Sequence, residues 1–257
     1  MIKKVIIIGM SLKDIIRVPY TTRPYMVKNN LPLYNSQPCE KIIKQKHQQL
    51  NIYKHDLHGM TAQAQTLKLV DMVSNYLGKS STHDIKELAL QFEEDIAVLY
   101  NGILSAICFC FPSSWIPGSK IGQSLKEIHS PVADGSALIK ASPKISQTIS
   151  NYQQGSFRRS VWTISKVPGL SNFPDENLKY KDTKIDLDHL YFRTEIQTTC
   201  ALPDNQTSVF FVKVQVTPLK TLWSEYRDLI LDSMNSMSDS VLEYKSLNEI
   251  KTYLNKH

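Results

Sequence analysis

The segment that most constrains this chain is IAVLYNGILSAICFCF, residues 96–111. Two apolar runs flank Asn101-Gly102, and both of those residues tolerate the positive φ of a type I′ turn. The segment therefore predicts an antiparallel hairpin. Further strands are predicted at 157–165, 189–199 and 207–216, with turn chemistry at Asp204-Asn205 between the last two. Helices are expected at 40–54, 61–78 and 84–94 before the hairpin, and at 121–129, 136–152, 219–235 and 238–255 after it. Met60, Ala64, Leu67, Val70, Val73 and Leu77 mark the apolar face of the second helix, with Thr61 and Gly78 as its caps. Pro143 is expected to interrupt helix 136–152, and Ser238 to cap the last. Helices, about five antiparallel strands, then helices define an α+β architecture.

A chain of 257 residues with 42% hydrophobic and 21% charged residues can bury a core, and it reads as one domain over 1–257. Prolines 19, 24, 32 and 38 make residues 1–38 an extended N-terminal arm, and 168–186 a polar insertion between strands. The start, MIKKVIIIGMS, lacks a GxGxxG and a cleavage site, so it reads as a plain strand or loose arm and not as a signal peptide. The longest apolar run, 103–111, is far short of the about 20 residues a membrane helix needs. The net charge of +6 comes from scattered lysines, without the clustered footprint of a nucleic-acid binder. Cys39, Cys108, Cys110 and Cys200 form no CxxC pair; Cys108 and Cys110 face one side of a strand and read as core residues of a reducing cytoplasm.

Chemistry concentrates in three segments. In WIPGSKIGQSLKEIHSPVA, residues 115–133, Ile121, Leu125 and Ile128 form a helical stripe that His129 continues, and Pro131 stops the helix just beyond. Such a histidine is either a core residue bonded to a carbonyl or an axial ligand to a heme iron, a role neutral imidazole suits. On strand 189–199, Tyr191, Arg193, Glu195 and Gln197 share a face, as a solvated row or as a polar row inside a cavity. On strand 157–165, Arg158 and Arg159 point opposite ways: one pairs with Glu195 or a cofactor carboxylate, the other is solvated. No GxSxG, Walker loop or Cys/His cluster is present, which sets aside hydrolase, P-loop and multi-ligand metal chemistry.

Five ordered segments resemble the heme-dependent oxidative N-demethylase family: RPYMVKNNLPLY, PSSWIPGSKIGQSLKEIHSPV, FRRSVW, YFRTEIQTTCALP and EYKSL. The resemblance implies a PAS-like antiparallel sheet with flanking helices enclosing heme b. It implies an enzyme that oxidises a small alkylamine with O2, using electrons from a separate flavin and iron–sulfur reductase. Carried onto this chain, His129 is the heme ligand, Arg159 and Glu195 are catalytic, and Arg193 and Trp162 contact the cofactor. The chain departs from the family's pattern at Val161 (usually asparagine), Ala133 (usually proline), Ile196 (usually basic) and Thr199 (usually leucine). These departures bear on substrate fit more than on fold. A PAS-type heme or ligand sensor without turnover and a heme-free structural homologue are the alternatives.

Overall fold

The computed structural model describes residues 10–256; the MIKKVIIIG start lies outside the described residues. Among the described residues seven strands are present: β1 (Val27–Lys28), β2 (His58–Met60), β3 (Asp95–Tyr100), β4 (Ile103–Cys108), β5 (Phe157–Ser165), β6 (Tyr191–Ala201) and β7 (Thr207–Pro218). All pair antiparallel in one sheet of order β1-β5-β6-β7-β3-β4-β2. Among the described residues the helices are α1 (Leu12–Ile15), α2 (Glu40–Tyr53), α3 (Ala62–Thr66), α4 (Leu69–Tyr76), α5 (Ile85–Ala89), α6 (Leu125–His129), α7 (Ser136–Ser150), α8 (Pro174–Tyr180), α9 (Leu219–Asn235), α10 (Asp239–Tyr244) and α11 (Asn248–Leu254). The α+β expectation therefore holds, and no helix among the described residues is long and apolar enough to cross a membrane.

The β3–β4 hairpin forms as its sequence requires, with φ of 48° at Asn101 and 77° at Gly102. On one face of the sheet, Trp162 and Ile164 of β5 and Phe192 and Ile196 of β6 join Leu219, Leu222, Trp223, Tyr226, Ile230 and Met234 of α9 in a common core. The opposite face curves around a cavity, whose far side is helix α7. Leu138, Ser142, Ile145 and Ile149 line it at spacings of four, three and four, one stripe of a helix. Cys108 and Cys110 are fully buried free thiols, as expected of core cysteines.

The helix predicted at 121–129 begins only at Leu125, and four further predicted helices needed correction. Helix 61–78 divides into α3 and α4 because Lys68 adopts a left-handed φ of 53°. Thr61 still caps it, accepting from the Ala64 amide at 3.1 Å, but Met60 lies in β2. Helix 84–94 stops at Ala89, where the buried Lys46 ammonium takes the Ala89 carbonyl at 3.0 Å. Helix 238–255 breaks at Ser246, φ 55°, into α10 and α11. Conversely, α7 runs straight through Pro143: burial of the stripe on either side offsets the local cost of about 3 kcal/mol.

Gly118 has a steric role. A Cβ there would lie 2.1 Å from the His55 carbonyl oxygen, so only glycine lets the 117–120 turn settle onto residues 55–58 ahead of α6. The polar insertion 168–186 carries α8 and forms part of the cavity wall through Asn172, Asn177 and Tyr180. The N-terminal arm contributes β1 and, through Arg17, Tyr20 and Tyr25, another part of that wall.

Candidate functional site

The cavity has a volume of about 810 Å³. Its apolar lining comes from alternate positions of the central strands: Ala97 and Leu99, Val161, Phe210 and Val212, each on the face away from α9. Alternation alone delivers this, because side chains two apart on a strand share a face.

His129 ends α6, a single turn held by a capping box in which Ser124 and Glu127 satisfy each other's amides. Its ring lines the cavity, and Nδ1 lies 2.7 Å from the Leu125 carbonyl one turn back. A carbonyl only accepts, so Nδ1 carries the hydrogen and Nε2 holds a bare lone pair. Nε2 makes no hydrogen bond to any described residue. Burial pushes the imidazole pKa down and Arg159 adds repulsion, against the Leu125 bond, so the ring is neutral near pH 7. Leu125 and Ile128 join it on the wall, as the helical stripe predicted; Ile121 lies before the helix and packs against Gly59 instead.

Glu195 and Gln197 of β6 both line the cavity. One Glu195 oxygen, Oε1, accepts from the Ser113 hydroxyl, and the other, Oε2, from Gln197 Nε2 at 3.1 Å. Val161 of β5 stands directly across from Glu195 in the strand pairing, and Arg159 across from Gln197. Arg159 is half-buried, and its Nε is buried with no hydrogen-bond partner. Burial lowers its pKa while Glu195 and Tyr20 oppose that shift.

Arg158 was expected either to pair or to be solvated, yet its Nε is also buried without a partner, and it too lines the cavity. Beyond β1, strand β5 is an open edge, and the cavity reaches both of its sides. Trp162 lies on the wall there and stacks on Phe192 with ring centres 5.3 Å apart. Arg193 shares the Glu195 face of β6 but does not line the cavity. Its guanidinium donates to Ser113 Oγ (2.8 Å) and to the carbonyls of Leu170 (2.6 Å), Phe111 (2.8 Å) and Pro112 (3.3 Å), which leaves no free edge for a cofactor.

Sequence reasoning missed three wall residues or their roles. Ser113 reaches Glu195 from 82 residues away, and nothing local marks it. Tyr20 comes from the arm; burial raises its pKa to about 12, so it keeps its O–H. Lys245, at the break between α10 and α11, donates to the Trp162 carbonyl at 3.0 Å, and burial lowers its pKa to about 8.

A lone neutral histidine with an unbonded Nε2, and arginines on the same wall whose Nε atoms lack a hydrogen-bond partner, agree with one comparison. The family model described as haem-dependent oxidative N-demethylase, alpha subunit-like, matches residues 42–254. The chain belongs to that family. No curated protein matches it. The matched region of this haem-dependent oxidative N-demethylase alpha subunit-like chain runs from α2 to α11 and includes His129, Arg159, Glu195 and Lys245, while the arm bearing Tyr20 precedes it. No group of three or more potential His, Cys, Asp or Glu metal ligands occurs among the described residues.

Proposed function

We propose that the chain is a heme-carrying oxidative N-demethylase of PAS-like fold, holding heme b in the cavity through His129 and oxidising a small alkylamine with O2. Electrons come from a separate flavin and iron–sulfur reductase. The observation that carries this reading is the Nδ1 bond from His129 to Leu125, because it commits the tautomer that leaves Nε2 to a metal.

The residues fit a heme. A cavity of about 810 Å³ falls within the about 300–1,000 Å³ of typical small-molecule sites. Apolar side chains of β3, β7 and α7 suit a macrocycle, and Trp162 suits its edge. The unpaired Arg159 suits a propionate carboxylate, which would satisfy its buried Nε. When bound, heme supplies the redox-active iron at which O2 is activated.

The chain's own residues act on the amine. Glu195, held by Ser113 and Gln197, accepts a charge-assisted hydrogen bond from an alkylammonium and takes its proton, freeing the nitrogen lone pair for oxidation. Arg159 orients Glu195 by opposite charge. Val161, across from Glu195, offers the amine's alkyl group an apolar neighbour. Tyr20 remains an O–H donor on the wall.

The test supplies heme-loaded protein with an electron donor and dimethylamine and measures formaldehyde. Release that depends on O2 supports the reading. A protein that takes up no heme contradicts it, and heme uptake without formaldehyde from secondary amines leaves the heme sensor in its place.

A further inference from the structure

A row of alternating charge runs from α2 to the cavity wall, buried at its Lys46, Asp95 and Arg193 end. Lys46 of α2 and Asp95 of β3 are fully buried, and Arg193 of β6 is 2% exposed. Lys46 Nζ lies 3.7 Å from Asp95 Oδ1. Asp95 attracts Arg193, Arg193 attracts Glu195, and Glu195 attracts Arg159, so each charge has neighbours of opposite sign. A buried charge is retained only when it is paired and bonded; Lys46, Asp95, Arg193 and Glu195 are both, while Arg159 has its opposite charge in Glu195 but no partner at Nε.

The bonds converge on residues 110–113. Asp95 accepts from the amides of Cys110 (2.9 Å) and Phe111 (2.8 Å), and so grips that segment by its N–H groups. Arg193 grips the same segment by the carbonyls of Phe111 and Pro112. Arg193 Nε also donates to Ser113 Oγ at 2.8 Å. With that lone pair taken, the single hydroxyl hydrogen of Ser113 is aimed at Glu195, where Oε1 accepts it. Gln197 fills a site on the other oxygen, which leaves the remaining lone pairs of Glu195 for a ligand.

We propose that Arg193 is a positioning residue for Glu195, acting through the Ser113 hydroxyl, and that the Lys46–Asp95 pair fixes the backbone on which Ser113 stands. Where Glu195 is held follows from these bonds alone; that its position matters to an amine rests on the function proposed above.

The test is a double-mutant cycle on the full-length chain with Ser113→Ala, Arg193→Lys and the double variant. The first readout is the carboxyl 13C signal of Glu195, assigned by its loss in Glu195→Gln. The second is the Kd of dimethylammonium for the heme-loaded protein. Each single variant is expected to move the carboxyl signal and to raise the Kd by about tenfold, the scale of one charge-assisted bond. The double variant is expected to go no further than Ser113→Ala, because residues acting in series are not additive. Additive effects, or a signal unmoved by Ser113→Ala, overturn the proposal. Ser113→Thr keeps the hydroxyl and is expected to restore both readouts, which a loss of folding would not allow. If the coupling holds in the 13C signal while Glu195→Gln leaves amine binding unchanged, the positioning stands and the amine reading alone fails.

Discussion

The Leu125 carbonyl and the His129 imidazole stand one helical turn apart on α6, with 2.7 Å between oxygen and Nδ1. This bond fixes both the tautomer and the direction of the ring. A core histidine bonded to a carbonyl would look the same at Nδ1; the difference lies at Nε2, which meets the cavity with no partner of its own.

Arg159, like Arg158, lines the cavity with a buried Nε that has no hydrogen bond, and of the two it is the one on the Glu195 face of the sheet. Arg159→Met is expected to weaken heme binding by roughly 10- to 100-fold, the value of one or two hydrogen bonds to a charged group. Titration of the protein with heme, followed by absorbance, measures it. Equal affinity in variant and wild type removes Arg159 as a carboxylate partner.

Glu195→Gln keeps the shape and one acceptor but cannot take a proton. The expected outcome is a kcat for amine oxidation lowered about 10²-fold or more, with the heme spectrum unchanged. Steady-state formaldehyde release decides the matter, and full activity in the variant would assign the proton to another group.

Lys46 is fully buried against Asp95 and also takes two backbone carbonyls, those of Ala89 and Glu94. Replacing it by methionine leaves Asp95 buried and uncompensated by its nearest cation. A loss of about 3–5 kcal/mol in urea unfolding is expected. A loss under about 1 kcal/mol would mean that water or another cation reaches Asp95.

Lys245 gives a pH signature. Burial lowers its pKa to about 8 from 10.5, with Glu195 opposing and Arg159 adding to the shift. Between about pH 8 and 10.5 the unfolded chain keeps a proton on this amine that the folded chain has released. Stability therefore rises with pH across that window, and below it the cost of burying the charge is fully present. Relative to Lys245→Met, the wild type should gain about 2–3 kcal/mol between pH 7.5 and 10. A difference that stays constant over that range contradicts the shift.

Long periodic segments were legible in the sequence. Strand β5 spans the predicted 157–165 and α9 the predicted 219–235, because each carries a repeated apolar spacing over many residues. The row Arg193, Glu195, Gln197 was assigned to one face correctly, since strand alternation is rigid. What separates these residues is not periodic: Arg193 is consumed by carbonyls of 111, 112 and 170, and those partners come from distant loops. Strands β1 and β2, two and three residues long, are too short to show any period. The helix breaks at Lys68 and Ser246 use left-handed backbone at residues other than glycine, so the usual stop signal is missing. Ser113 was visible only as part of PSSW; its reach to Glu195 depends on the sheet order.

The most direct test of the account is the absorption spectrum of the heme-reconstituted chain beside that of His129→Ala. A Soret band is expected in the wild type, and the substitution is expected to abolish or shift it. Identical Soret bands in the two proteins would contradict His129 as the iron ligand.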